Sequence, residues 1–431
     1  MKTSRRKFIQ STIATSVGVS IIPRHVLGKG FITPNDQILV GVIGAGMQGR
    51  GLQNAICNYP ELRLISASDV ERTKRQLLSK NAIKKYRETQ PSWKIDSISL
   101  YPNYQDLIQE KNLNAVVIAT PDHWHAKQAL EAMDLGLHVF CEKPISHTID
   151  EGRKMADSAK KNNVVFQTGS MQRSWKHFRH VSELIRNGYL GDIKKAVVYV
   201  GDPPIACDLP EEPTPDTLDW DQWLGAAPVR PYNAILSPPV EVRVYPRWRW
   251  YEEYGGGIVA DWGAHMFDIV QWALGTDHTG PVKIVPPKNF KMTRGLKMFY
   301  ENGIEIVHDN RKIFTDQHGI EFIGTQGKMK VARGHIETDP TSIANIQIKD
   351  SDIRLYRSDD HIMDWINGMK TRNGVITDAE IGHRTATVCQ LVNIGYKLNQ
   401  TLEWNPIKER FIGNSKANKL RTKKYRKPFK V

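Results

Sequence analysis

The spacing of apolar residues along this 431-residue chain changes character near residue 195. Up to about residue 150, short apolar runs alternate with stretches of helical period. This predicts strands at 38–43, 62–68, 115–119 and 137–141, and helices at 47–58, 71–87 and 125–135. Strands joined through helices pair in parallel, because only a long crossover returns the chain to the same end of the sheet, so the rhythm is that of a doubly wound parallel sheet. Beyond residue 195 the runs lengthen and fill with β-branched and aromatic residues, interrupted by a Pro-rich stretch from Asp202 to Pro215. Strands at 197–200, 291–300, 304–307 and 319–324 are predicted members of a second sheet. A helix follows at 376–398, opening on the capping-box pattern Thr377-Asp378-Ala379-Glu380.

The first strand-to-helix junction carries a chemical signal. Gly44-Ala45-Gly46-Met47-Gln48-Gly49 follows the apolar run 38–43 and opens a predicted helix. In that setting Gly44 permits the tight turn, Gly46 lets the backbone approach a pyrophosphate, and Gly49 lets helix and strand pack closely. Met47 and Gln48 begin the helix whose amides and dipole face the phosphates. Asp69 ends the second predicted strand, about 20 residues beyond the glycines, where a carboxylate accepts hydrogen bonds from ribose hydroxyls and repels a 2′-phosphate. NAD is therefore the expected cofactor, while Arg72, close behind Asp69, leaves NADP open.

At 40% hydrophobic and 25% charged, the composition is that of a globular protein with room for two domains. The net charge of +14 points to nucleic acid only until it is located. Six Lys/Arg and no acid fall within residues 1–30, and ten Lys/Arg against Glu409 alone within 408–431, so the body between them is nearly neutral. The basic C-terminal run reads as a solvated tail or a contact for an acidic surface, and nucleic-acid binding is not expected. Cys57, Cys141, Cys207 and Cys389 lack Cys-x-x-Cys spacing and read as buried thiols, with no metal site expected. Ser4-Arg5-Arg6-Lys7-Phe8-Ile9-Gln10, followed by a moderately apolar stretch over 13–22, matches the twin-arginine export pattern and implies the periplasm. That stretch is too short and too rich in Ser, Thr and Gly for a transmembrane span. No clean Ala-x-Ala triplet precedes residue 30, so retention as an uncleaved anchor stays open.

Three further segments carry candidate chemistry. Ala119-Thr120-Pro121-Asp122-His123-Trp124-His125 lies at the C-terminal end of a predicted parallel strand, where open α/β sheets bind ligands, and predicts a wall of the nucleotide pocket. Glu142-Lys143-Pro144 ends the next strand, with Pro144 holding its neighbour extended. There Lys143 can hydrogen-bond a substrate oxygen or take part in proton transfer, and a plain salt-bridge role weighs equally. Downstream of Gly255-Gly256-Gly257 a helical pattern puts Asp261 and His265 on one face. The carboxylate can stabilise an imidazolium as His265 takes the proton a secondary alcohol must lose along with hydride. Trp220, Trp223, Tyr245, Trp248, Trp250, Tyr251 and Tyr254 crowd the same region, with Arg247 and Arg249. Such planes and charges suit the C–H faces and hydroxyls of a carbohydrate; one or two of the rings are expected to meet a ligand and the rest to pack.

With these motifs in this order, residues 36 to 411 resemble the glucose-fructose oxidoreductase, inositol dehydrogenase and rhizopine-catabolism (Gfo/Idh/MocA) family. Residues 245–275 and Gly382-His383-Arg384 are similar to a branch common among exported proteins. The resemblance implies a Rossmann domain, placed at 36–150, and a C-terminal α/β domain at 151–411 whose open, mainly antiparallel sheet mediates homodimers or homotetramers. A signal segment at 1–30 precedes them, a basic tail at 412–431 follows, and the 376–398 helix is expected to pack back on the first domain. It also implies hydride transfer between a nicotinamide cofactor and a secondary hydroxyl or ketone of a sugar, glycoside or cyclitol; export would favour tightly held NAD. Carried over by motif, Gly44, Gly46, Met47, Gln48, Gly49 and Asp69 bind the dinucleotide; Thr120, Pro121 and His125 line its pocket; Glu142 and Lys143 lie beside the nicotinamide; and Gln172 and Arg173 lie near cofactor or substrate. Lys143, Asp261 and His265 form the catalytic set. Two other readings stand beside this one. In the first, an NAD-dependent hydrolase cleaves glycosidic bonds by redox-assisted elimination, although the Tyr-rich, His-containing loop of such enzymes is not apparent. In the second, a non-catalytic envelope protein binds sugar and nucleotide, and Lys143 and His265 are structural.

Overall fold

In the computed structural model, which describes residues 36–431 other than Lys94, the first sheet has six parallel strands. They are β1 (Ile38–Ile43), β2 (Leu62–Ser68), β3 (Ser99–Tyr101), β4 (Ala115–Ile118), β5 (His138–Cys141) and β6 (Phe166–Thr168), in the order β3-β2-β1-β4-β5-β6. The twin-arginine pattern lies outside the described residues. Strand order reverses between β1 and β4, and the Ala119 amide donates to the Ile43 carbonyl at 2.9 Å. The loops leaving these two carboxyl ends therefore part to either side and open a crevice. Val40, Val42 and all of Ala115–Ile118 are fully buried. Their unbroken apolar character follows from helices covering both faces of the sheet, and burial of each large side chain contributes about 1.5–3 kcal/mol. β6 carries this sheet through Thr168, beyond the boundary expected at residue 150. β3 escaped prediction because three residues are too few to display a period.

The second sheet is formed by β7 (Ile193–Tyr199), β8 (Lys283–Val285), β9 (Lys297–Phe299), β10 (Glu305–Asp309), β11 (Gly319–Gly324), β12 (Lys328–Ala332), β13 (His335–Asp339), β14 (Leu402–Asn405) and β15 (Arg410–Ile412). Its order is β13-β12-β11-β7-β10-β9-β8-β14-β15, antiparallel in its pairings apart from β7 with β10. Of the strand expected at 291–300 only Lys297–Phe299 pairs, because Asn289 closes a turn by accepting from the Lys291 amide. The helices Lys176–Arg186, Gly257–Leu274 and Ala379–Leu398 contribute Phe178, Phe267 and Val388 to the core that covers Val198, Ile306 and Phe322. The middle helix starts where it does because of Gly257, whose φ is +71° and where a Cβ would lie 2.4 Å from the Pro204 nitrogen. Only glycine meets both demands.

The helix Ala379–Leu398 packs on Ile149–Lys161 of the first sheet. Its cap is Asp378, which accepts from the Ile381 amide at 2.9 Å, rather than the expected capping box from Thr377. Glu380 is engaged elsewhere: Arg153 donates to Glu380 at 2.7 Å and to Glu409 at 2.8 Å, and Glu409 also meets the fully buried His383 at 2.7 Å. Burial works to raise both carboxyls, but the guanidinium of Arg153, with Arg384 at Glu380 and His383 at Glu409, outweighs it and holds each at about 2. The Gly382-His383-Arg384 run is thus a tie between the two sheets' helices.

The C-terminal run is also pinned. Arg421 pairs with Asp150, Lys423 with Glu151 and Arg426 with Asp221, and Phe429 packs edge-on against Trp124 with ring centroids 5.6 Å apart. It is not a solvated tail, because its cations pair with acids on the helices Ile149–Lys161 and Trp220–Leu224 and its Phe429 packs on Trp124. Cys57, Cys141 and Cys389 are buried, whereas Cys207 is half-buried in a loop. Among the described residues no helix is long and apolar enough to cross a membrane.

Candidate functional site

The glycine turn follows β1 at the crevice, and each glycine answers a different constraint. Gly44 has φ +95°, and a Cβ there would lie 2.8 Å from the Ala119 backbone of the β4 loop. At Gly49 it would lie 1.8 Å from the Gly44 carbonyl oxygen, so this glycine packs behind the turn rather than facing a ligand. Gly46 is different: nothing lies within 4 Å of where its Cβ would stand, and it caps the helix Met47–Ile56 with no side chain occupying the first-turn amides. An open approach onto free helical N–H groups fits a dinucleotide's pyrophosphate. Asp69 braces the turn, its carboxylate accepting from the Ala45 amide at 2.6 Å and the Glu71 amide at 2.9 Å. Arg72 is exposed and lines no part of the site; of the cations near Asp69, the one that lines the cavity is Lys74, which donates to Ser237 at 3.1 Å.

A cavity of about 560 Å³ continues from this turn. The first sheet lines it with Gly44, Gly46, Met47, Gln48, Asp69, Thr120, Pro121, His125, Glu142 and Lys143, and Gln172 joins them. His125 has its ring nitrogens 2.8 Å from the carbonyls of Thr120 and Pro144, so it ties the β4 and β5 loops together; burial draws its pKa down to about 4. Glu142 accepts from Gln48 at 2.6 Å, linking β5 to the glycine-turn helix.

The catalytic candidates meet in the same cavity. Lys143 donates to the Asp261 carbonyl at 2.9 Å and to its carboxylate at 2.6 Å, and Arg249 donates to that same oxygen at 3.3 Å. Burial pushes the Asp261 carboxyl up, but the two cations outweigh it and hold the group ionised far below the usual carboxylate range. His265 was expected to lean on Asp261. Instead it makes no hydrogen bond among the described residues, and its buried Nδ1 has no partner. Burial, then Lys143 and Arg333, keep its pKa well below the ordinary value, so the ring is neutral. Asp261 serves Lys143 and Arg249 because cations a short distance away outbid a neutral ring one turn along its own helix.

Arg173 is absent from this cavity. Its guanidinium is fully buried, donating to Asp268 at 2.8 Å and Asp277 at 2.7 Å, while its neighbour Gln172 faces the cavity; the 3-10 turn Met171–Ser174 sends the two apart. Of the crowded aromatics, Trp223, Tyr245 and Trp248 line the cavity and Trp220, Trp250, Tyr251 and Tyr254 do not. Sequence reasoning missed Trp175, Trp262 and Arg333 as lining residues. Asp122 lies in the 119–125 segment expected to wall the pocket, and it does line the cavity. Burial pushes this carboxyl up to about 8, against the pull of Arg249, so it keeps its proton at pH 7.

A family model described as "Oxidoreductase family, NAD-binding Rossmann fold" matches residues 38–170, and one described as "Oxidoreductase family, C-terminal alpha/beta domain" matches residues 197–431. The uncharacterized oxidoreductase YrbE of Bacillus subtilis is 24% identical over 324 residues, 73% of this chain and 79% of that one. A glycosyl hydrolase family 109 protein of Shewanella putrefaciens is 26% identical over 205 residues, so this chain spans 44% of that relative's length, with 44% of its own covered. Among solved structures, levoglucosan dehydrogenase in complex with NADH and L-sorbose is similar in fold, with a TM-score of 0.57 and 16% identity over 86% of this chain and all of that one.

Two variants separate the glycines' roles. Gly46→Ala is expected to keep stability within about 1 kcal/mol, measured by thermal denaturation, yet to weaken NADH binding at least about tenfold in a fluorescence titration. Gly49→Ala should destabilise the fold itself by about 3 kcal/mol or more. Arg173→Met strands two acids beside the core and should cost about 3–5 kcal/mol in denaturant unfolding of nucleotide-free protein. A normal stability with impaired NADH binding would instead return Arg173 to the cofactor.

Proposed function

The chain belongs to the Gfo/Idh/MocA oxidoreductase family, with an NAD-binding Rossmann fold and a C-terminal alpha/beta domain, and on that footing we propose that it is an NAD-dependent dehydrogenase of a sugar, glycoside or cyclitol. The observation that carries this reading is the presence, in the cavity that begins at the glycine turn, of an anchored ammonium and an unpartnered neutral imidazole. Nicotinamide, when bound, supplies the hydride acceptor or donor. The substrate's hydroxyl proton then needs a base, and His265 is neutral and without a competing hydrogen bond. Lys143 has three N–H donors, of which two are held by Asp261, leaving one to polarise the substrate oxygen. Asp261, shared between two cations, positions Lys143 and is not itself the base. Trp248 and Tyr245 line the cavity with Arg249, a lining that suits a ring of C–H faces and hydroxyls. The levoglucosan dehydrogenase similar in fold is solved in complex with NADH and L-sorbose.

The similarity to a glycosyl hydrolase family 109 protein favours one second reading, bond cleavage with no net change in nucleotide. Incubation with a panel of sugars, glycosides and cyclitols, followed by nicotinamide absorbance and mass spectrometry of products, tells the two apart. Keto-sugar with stoichiometric NADH is expected; a released aglycone with constant absorbance identifies the hydrolase, and no product from any of them overturns both. With a substrate in hand, Lys143→Met and His265→Asn should each lower kcat by about 10²–10⁴-fold. Because the folded pKa of His265 lies below 6.5, the base is already deprotonated at pH 6.5 and kcat/KM should fall only as pH drops further. An acid limb at or above pH 7 would contradict that assignment.

We further propose, from the Ser4–Gln10 pattern, that the protein is exported folded by the twin-arginine route and carries its nucleotide with it. Purified protein should then keep nicotinamide absorbance through exhaustive dialysis, and complete loss of nucleotide would defeat the idea of a retained cofactor.

A further inference from the structure

Arg333 sits in the two-residue turn between β12 and β13, completed by Gly334 at φ +76°. Its guanidinium carbon lies 4.6 Å from the ring centroid of Trp262 and 5.4 Å from that of Trp175, and its Nε donates to Gln172 at 3.2 Å. These contacts fix the group's plane at the cavity wall. Its two terminal nitrogens, however, donate to nothing among the described residues, and the side chain forms no ion pair there. A half-buried guanidinium held flat with its fork empty is the arrangement that recognises a planar or tetrahedral oxyanion.

The charges around it agree. Lys143, Arg249 and Arg333 all line this part of the cavity, and Asp261, the acid nearest them, is already shared by the first two. Asp122 keeps its proton at pH 7, and Glu142, the other carboxyl lining the cavity here, is pushed up by burial and engaged by Gln48. Trp175 also lines the cavity with 38% of its surface exposed, apolar area available to the C–H groups of a sugar. We infer that Arg333 reads an anionic substituent on the sugar, a carboxylate or a sulfate ester, so that the substrates are acidic sugars. This rests on the oxidoreductase reading above and names the substrate class for that same site.

The test uses the full chain with NAD and matched probes: methyl β-D-glucuronide, methyl α-D-galacturonide, methyl β-D-glucoside 6-sulfate and the neutral methyl glycosides. Nicotinamide absorbance gives kcat/KM, and calorimetric titration in the presence of NADH gives binding. The expected preference for the acidic probe over its neutral parent is roughly tenfold to a hundredfold, the range of a charge-assisted hydrogen-bond pair. Arg333→Gln should collapse that ratio, and Arg333→Lys, which keeps charge without the fork, should keep part of it. The uronide and sulfate arms tell which anion is read. A neutral parent handled as well as the acidic probes, or an Arg333→Gln variant that weakens both in proportion, overturns the inference while leaving the dehydrogenase intact. If nothing is turned over, acidic-probe binding that Arg333→Gln removes upholds the site and rejects the reaction, and absence of such binding overturns the site as well.

Discussion

The ion pair between Lys143 and Asp261 is the interaction on which the rest of the site depends. It joins the end of a Rossmann strand to a helix 118 residues further along, and both partners are largely withdrawn from water. A lone charge in that position would be costly, so each requires the other. Everything nearby adjusts to the pair. Buried, with Lys143 and Arg333 close by, His265 stays neutral; with Asp261 occupied, the imidazole is left unpartnered; and Asp122, buried in the same volume, keeps its proton at pH 7. The ion pair orients the ammonium, while burial, aided at His265 by Lys143 and Arg333, leaves a neutral base and a neutral acid in the same cavity.

Sterics bring that contact to the nucleotide. β1 and β4 are neighbours whose connections leave in opposite directions, and the glycine turn is pressed against the β4 loop so closely that a Cβ at Gly44 would strike backbone. The same packing leaves Gly46 open. Close-packed backbone behind and free amides in front are two sides of one turn, and Asp69, itself held by the Glu71 amide, locks it by accepting from the Ala45 N–H.

Charge in this molecule is mostly internal bookkeeping between elements. Arg173 clamps Asp268, on the helix that carries His265, and Asp277 just past that helix's end; Arg153 gathers Glu380 and Glu409 across the two sheets' helices; and the basic C-terminal run pairs with Asp150, Glu151 and Asp221. Against that background a guanidinium with an empty fork, as at Arg333, stands out. Composition alone has no way of separating the two kinds of arginine.

Local physics was legible in the chain. Apolar periodicity over a few residues located the doubly wound sheet, turn chemistry located Gly44, Gly46 and Gly49, and strand ends and helical spacing brought forward Asp69, Lys143, Asp261 and His265, because each of those effects acts within a turn or a strand. What the tertiary structure decided was partnership. Gln172 and Arg173 are adjacent in sequence, yet one faces the cavity and the other the core; Asp261 serves Lys143 rather than its helical neighbour His265; Trp175 and Arg333, far apart in the chain, meet at one wall; and the C-terminal run is bound rather than free. The energy of a buried charge depends on which groups surround it after the chain has crossed itself, and no short stretch of sequence contains that information.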